Sequence, residues 1–435
     1  MRRRTVITGL GVISPFGVGS DVFREGLFAG TSAVRPVTRF ELGDFPLRVA
    51  AEIPDFKARD FIPREHRKAI KVMSHDVQLG VASAMLAVED SGILAEGKRV
   101  DPTRLGTSFG CGFMASDVNE MGAAFAASVV DGRFDARKFG VEAMKSFFPL
   151  WLLKYLPNMP ACHVSIFCDT QGPNNTITSG DAASTQAVGE ARRVIERGAA
   201  DVMVCGGVDA KVNPVSFVRY ALLCSMTTVD GAPGTLSKPF EKSRAGAVLG
   251  EGSVGLILEE YEHARTRGAK IYAEIKGYGL GCDAWRVDEI HPGGRGFVVA
   301  MRNALKTSGL SPDGVDVVFA AAKGSVSDDA AEARAIGTVF GQGDDAPPVT
   351  STKSMIGYVS AATGILDVAA AVVALERQTI PPTINYDEPD PECPVNVVAN
   401  ASREAKLNHI LINSGGFGGQ FSSLVVAQFE PGADT

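Results

Sequence analysis

Residues 174–195, NNTITSGDAASTQAVGEARRVI, set one carboxylate at a place suited to chemistry. The first half is β-branched and polar, as an extended strand is. The second half carries apolar residues at Ala187, Val188, Ala191, Val194 and Ile195, the spacing of one helical face. A tight turn of small residues joins the two, with Asp181 at its apex. Unpaired backbone N–H groups and the helix dipole favour negative charge there. Asp181 is therefore a catalyst, a helix cap, or the replacement for a group that once did chemistry.

The elements that must hold this turn alternate between strand and helix for most of the chain. RTVITGLGV opens as a strand, and a long helical pattern covers roughly 63–92. RLGTSFGCGF is a strand leaving into a glycine turn, ADVMVCGGVDA is another strand, and GSVGLILEEYEHARTRG is a strand running into a helix. The order then restarts near 269. IYAEIKGYGLG resembles the opening strand, GRGFVVAMRNALKTSGL is helical, VDVVFAAAKGS is a buried strand, and DDAAEARAIGTVFG is a helix. LNHILINSGGFGGQFSSLVVAQF closes as a hairpin. Repeated β-α units imply a layered α/β fold, and the restart implies two similar halves, 1–268 and 269–435, sharing one core.

The chain's 435 residues fit one large two-part body or two domains. Hydrophobic residues make up 45%, yet no run reaches the roughly 18 apolar residues of a membrane span. FFPLWLLKYLP, at 147–157, is short and interrupted by Lys154 and prolines. MRRRTVITGLGV lacks a signal-peptide core. The seven cysteines show neither CxxC pairs nor a disulfide-framework spacing, so a soluble protein of a reducing cytoplasm is expected. The net charge of −7 counts against nucleic acid as a partner. GLGV and GGFGG match no dinucleotide fingerprint and are read as turns and close backbone packing. No cofactor or metal is expected.

Longer segments carry a resemblance. TVITGLGVISPFG, NMPACHVSI, GPNNTITSGDAAS, KPFEKSRAGAVLGEGSVGLILEEYEHARTRGAKIYAEIKGYG, STKSMIGYVSAATG, IPPTIN and NSGGFGGQFSSLVVA occur in the order found in the β-ketoacyl-[acyl-carrier-protein] synthase family. The chain resembles the type II members of that family, within the thiolase superfamily. The resemblance implies a thiolase-like α-β-α-β-α layering of two pseudo-duplicated halves, a dimer, and acyl chains delivered by an acidic carrier protein.

The family's chemistry uses a cysteine at a helix N-terminus as acyl acceptor and two histidines to assist decarboxylation and stabilise an oxyanion. Laid residue by residue on this chain, none of the three is present. The cysteine position is Asp181, the first histidine position is Lys323 in AAKGSVSDDAAE, and the second is Tyr358 in STKSMIGYVSAATG. The family's lysine persists as Lys353, and its glutamate is matched by Asp367. Phe417 matches the gatekeeping phenylalanine.

A carboxylate attacking a thioester gives an anhydride, and a helix N-terminus weakens it as a nucleophile. Asp181, or neighbouring Ser179, is accordingly read as a helix cap. Lys323 stabilises an oxyanion or pairs with Asp181; an enclosed site favours a pair over a lone charge. Tyr358 fills the volume of the missing histidine and has a hydrogen bond to give. Cys168 is read as an inert thiol on a strand, and His163 as a buried structural group.

Arg64, Arg67, Lys68 and Lys71 fall at i, i+3, i+4 and i+7, one helical face that attracts an acidic carrier protein or is simply solvated. FFPLWLLKYLP is expected to be buried at an interface. The reading that follows is a ketosynthase-like subunit of a fatty acid or polyketide system, resembling a ketosynthase β-subunit or chain-length factor. It is non-catalytic for condensation, pairs with an active ketosynthase and helps shape the acyl pocket. Glutamine is usual at the cysteine position of such subunits, so Asp181 departs from that pattern too. The alternatives are a residual enzyme (a malonyl-carrier-protein decarboxylase or acyltransferase) and a homodimeric acyl- or carrier-binding scaffold.

Overall fold

The computed structural model describes residues 3–95, 100–343 and 346–431. Ten strands form the main sheet. In the first half they are β1 (Thr5–Ser14), β2 (Leu105–Cys111), β3 (Asn174–Ile177), β4 (Val202–Ala210) and β5 (Glu251–Glu260). In the second they are β6 (Ala273–Cys282), β7 (Val317–Phe319), β8 (Val349–Thr350), β9 (His409–Gly415) and β10 (Gln420–Ala427). The order across the sheet is β8-β7-β9-β10-β6-β1-β5-β4-β2-β3, and the two-residue strand Gly17–Val18 folds back on β1.

Each half has its third, second, fourth, fifth and first strand side by side, and the same pairs run parallel and antiparallel. That repeat is the pseudo-duplication foreshadowed by the restart near 269. The halves meet where β1 pairs antiparallel with β6, Val6 opposite Glu274 and Ile7 opposite Ala273. Beyond β3 the sheet has a free edge.

The helices make three layers. α1 (His75–Ser91) and α2 (Met159–Cys168) cover the outer face of the first half. α3 (Ala183–Glu196) and α7 (Thr363–Arg377) lie in the middle and share one apolar core with strands of both halves. α5 (Arg295–Ser308) and α6 (Val326–Phe340) cover the second half, and α4 (Pro214–Leu223) follows β4. α3 buries all five apolar residues of the predicted face. α7 is buried from Thr363 to Leu375, so it has no polar face, and the sequence reading passed over it. GLGV lies within β1 and is not a turn; close approach explains its glycines, since a Cβ on Gly11 would lie 2.2 Å from the Ser83 carbonyl oxygen of α1.

Three local expectations are corrected. The helical pattern over 63–92 is two elements, a 3-10 segment Arg64–Val72 and then α1, separated by extended Met73. Ser74 makes the break, because its side chain accepts the Val77 N–H and starts α1 afresh. A 3-10 turn has three residues, so Arg64, Arg67, Lys68 and Lys71 do not form a single α-helical stripe. Arg67 instead turns its guanidinium back to the Ile62 carbonyl. Cys168 ends α2 rather than lying on a strand, although burial does push its thiol up to about 12. Phe148, Leu150, Leu152 and Leu153 of FFPLWLLKYLP are exposed on the single chain, which leaves them free to be covered by a partner.

Candidate active-site cluster

Asp181 sits in the 3-10 turn Gly180–Ala182 at the foot of α3, and it does not cap that helix. Nor does Ser179, whose hydroxyl goes to the Gln186 side chain at 2.7 Å. The reason is competition: Asp181 faces stronger donors in the interior than the backbone N–H groups beside it. Its Oδ1 accepts a short hydrogen bond from the Tyr358 hydroxyl and a longer one, 3.4 Å, from the Ser360 hydroxyl. Its Oδ2 lies 3.5 Å from the Lys323 ammonium. Asp181 is 4% exposed, Lys323 4% and Tyr358 2%. The expected Asp181–Lys323 pairing is thus present, and the cap reading is wrong.

Lys323 has a nearer partner that sequence reasoning missed, Asp328 Oδ2 at 3.1 Å. The ammonium also lies 4.6 Å from the centre of the Tyr358 ring. Burial by itself would depress the Lys323 pKa, but Asp328 and then Asp181 outweigh it and hold the side chain charged well beyond its ordinary range. Burial first, then the Asp181 charge, keeps the Tyr358 phenol protonated. The loop carrying Lys323 is fixed by Asp329, whose carboxylate accepts the backbone N–H groups of Lys323 (3.0 Å), Gly324 (3.0 Å) and Phe240 (2.9 Å).

Behind this cluster, Lys353 and Asp367 form a second, fully buried pair. Lys353 also donates to the Ala320 carbonyl at 2.6 Å, and Thr352 donates to Asp367 at 2.6 Å. Glu332 lies deeper still, accepting from the Ala321 N–H at 2.9 Å and the Asn413 amide at 3.0 Å. Burial pushes its pKa up to about 7 from 4.5. A carboxyl raised on folding stabilises the native state below its unfolded pKa, and that contribution is lost as pH rises through the folded value. The Glu332→Gln variant keeps both acceptor contacts without titrating. Its melting temperature is therefore expected to gain on wild type steadily as the buffer goes from about pH 5 to about pH 8.

Gly416, in the GGFGG turn, borders the Asp181–Lys323 pair. With φ 153°, a Cβ there would lie 2.5 Å from Asp181 Oδ2 and 3.1 Å from Lys323 Nζ. Gly416→Ala is expected to cost about 1–3 kcal/mol by overpacking, read from urea unfolding. Next to it, half-buried Phe417 lines a cavity of about 390 Å³ together with Asp181, Ser360, Tyr220, Arg219 and Phe113. A larger cleft of about 590 Å³, bounded by Arg39, His75, Asp76 and Lys154, holds none of the catalytic, pocket or docking candidates named from the sequence.

No thiol and no imidazole hydrogen-bonds Asp181 among the described residues. Cys224 lines the narrow space beside Lys323, but it stands at the C-terminal end of α4 and burial pushes it up to about 11. His163 is buried on α2 against Phe167, and burial lowers its pKa. Arg64, Lys68 and Lys71 are exposed on their 3-10 segment, with no bond to this cluster among the described residues.

This frame has known relatives, and the chain belongs to the β-ketoacyl synthase family. The family's N-terminal domain matches residues 2–264 and its C-terminal domain residues 272–387. The chain is 35% identical to 3-oxoacyl-[acyl-carrier-protein] synthase 2 of Coxiella burnetii, over 98% of this chain and 99% of that one. It is 31% identical to the structure of the ishigamide ketosynthase/chain length factor, covering 99% and 100%, with a TM-score of 0.85. A chain in the structure of a type II polyketide acyl-carrier protein in complex with its ketosynthase bound to the hexaketide is 27% identical, covering 99% and 100%, with a TM-score of 0.82. No described helix is long and apolar enough to cross a membrane.

Proposed function

We propose that this chain is a ketosynthase-like subunit of a polyketide or fatty acid system that does not itself catalyse condensation. The observation that carries this reading is at position 181. A carboxylate tied to Tyr358 and Lys323 occupies the place where the family needs a free thiolate. The two positions that would hold imidazoles carry a protonated phenol and a fixed ammonium, neither suited to shuttle a proton near neutral pH. Lys353, Asp367 and Phe417 act here as pocket framework, and the halves 1–268 and 269–435 work as one body.

The subunit pairs with an active ketosynthase and helps shape the acyl pocket. Supporting this are the free edge at β3, the exposed Phe148, Leu150, Leu152 and Leu153, and the relative that joins a ketosynthase to a chain length factor. Arg64, Arg67, Lys68 and Lys71 receive the acidic carrier protein. The proposed location is the cytoplasm.

The test is co-expression of the tagged chain with an untagged active ketosynthase, followed by condensation assays with acyl- and malonyl-carrier protein. The pair should copurify and form carbon–carbon bonds, whereas the chain alone should not. Condensation by the isolated chain overturns the catalytic part. A homodimer that never takes up the synthase overturns the pairing.

A further inference from the structure

Ser360 was not singled out by any motif, yet it stands on a strained turn at the wall of the cavity. It begins the 3-10 turn Ser360–Ala362 that runs directly into α7, and its φ of 45° places a non-glycine residue in the left-handed region. In a hydrolase the nucleophilic serine sits on a strained turn between a strand and a helix. Ser360 shares the strained turn and the following helix, although a short helix, Lys353–Ile356, precedes it in place of the strand. The same residue lines the 390 Å³ cavity, beside Asp181, Arg219 and Phe417.

Its hydrogen bonds have a direction. The Tyr220 hydroxyl donates to Ser360 Oγ at 2.7 Å, and Ser360 Oγ donates to Asp181 Oδ1 at 3.4 Å. Burial keeps the Tyr220 phenol protonated, so the tyrosine is the donor and the serine proton faces two carboxylates, Asp181 and the buried Asp209, which also takes a hydrogen bond from Ser360. A nucleophile next to a base that is itself oriented by further groups is the general signature of covalent catalysis, and such contacts are often long in an unliganded site.

The geometry points to Ser360 as an acyl acceptor, with Asp181 as its base, that takes the acyl group of a short thioester and passes it to water. In the first step Ser360 Oγ bonds to the carbonyl carbon and the C–S bond breaks. The serine proton goes to Asp181 and from there to the leaving thiolate. In the second, water attacks the ester carbonyl, its proton passes through Asp181 to Ser360 Oγ, and a carboxylic acid leaves. No carbon–carbon bond forms and no oxidant or reductant is needed. This goes beyond the reading above, because hydrolysis and condensation are separate reactions.

The test incubates the purified full chain with acetyl- and hexanoyl-N-acetylcysteamine thioesters, follows free thiol release, and maps adducts by peptide mass spectrometry. An ester on the Ser360 peptide and thiol release above the buffer rate are expected. Ser360→Ala should abolish both, and Ser360→Gly, which relieves the left-handed backbone, should do the same in a chain that melts like wild type. Asp181→Asn should slow release about 100-fold or more while leaving the chain folded. Thiol release at the buffer rate, or an adduct that persists in Ser360→Gly, overturns the proposal. A β-ketoacyl product in a parallel assay with malonyl thioester bears instead on the condensation reading, so the two failures are told apart.

Discussion

Replacing Lys323 with methionine is expected to destabilise the fold by about 3–5 kcal/mol, the penalty for removing one partner of a buried ion pair. The lysine pairs with two carboxylates at once, Asp181 at 3.5 Å and Asp328 at 3.1 Å. Without it the two acids lose their cation, and Asp181 keeps only the Tyr358 and Ser360 hydroxyls. Asp181→Asn should cost less, about 1–2 kcal/mol, since an amide oxygen still accepts from Tyr358 and Lys323 retains Asp328. The decisive comparison is the double variant. Removing the Asp181 charge should recover part of the loss caused by Lys323→Met, a coupling visible in urea unfolding. A Lys323→Met loss under about 1 kcal/mol would show that the pair does not hold the site together.

The second large effect is chemical. Asp181→Cys is expected to yield a reactive thiol that still performs no condensation. The new sulfur would stand at the foot of α3, near the Lys323 ammonium, a setting that favours thiolate. Cys168, Cys224 and Cys393 are pushed up to about 12, 11 and 12 by burial and should label slowly with iodoacetamide. Exposed Cys282 provides the reference rate. Residue 181 should label at least about ten times faster than Cys282 at neutral pH, given the thiolate dependence of alkylation.

Condensation should remain at background in that variant, because general acid–base groups contribute about 10²–10⁴-fold and neither position 323 nor 358 supplies an imidazole. Only with Lys323→His and Tyr358→His added should carbon–carbon bond formation become measurable. A condensing Asp181→Cys single variant would mean that the lysine and tyrosine already do the histidines' work.

Much of this site was legible beforehand. The alternation of strands and helices, the restart near 269 and the closing hairpin follow from periodicity, since burial on one face leaves a repeat in the chain. The choice of positions 181, 323 and 358 came from the family resemblance. Other features left no local signal. α7 is buried on every side from Thr363 to Leu375, so it has no amphipathic period to detect. The break at Ser74 hides inside a continuous helical pattern, because a single side-chain cap outweighs it.

The sequence by itself determined the synthase frame, and its resemblance pointed to Asp181, Lys323 and Tyr358 as the positions to inspect, with the expectation that an enclosed Asp181 needs a cation. Tertiary structure decided what Asp181 became. Its partners come from 142, 177 and 179 residues away, on two separate segments, one carrying Lys323 and the other Tyr358 and Ser360. A helix N-terminus offered a local cap, but in a dry interior a charge binds whichever strong donors surround it, and those are set by packing rather than by neighbours in the chain.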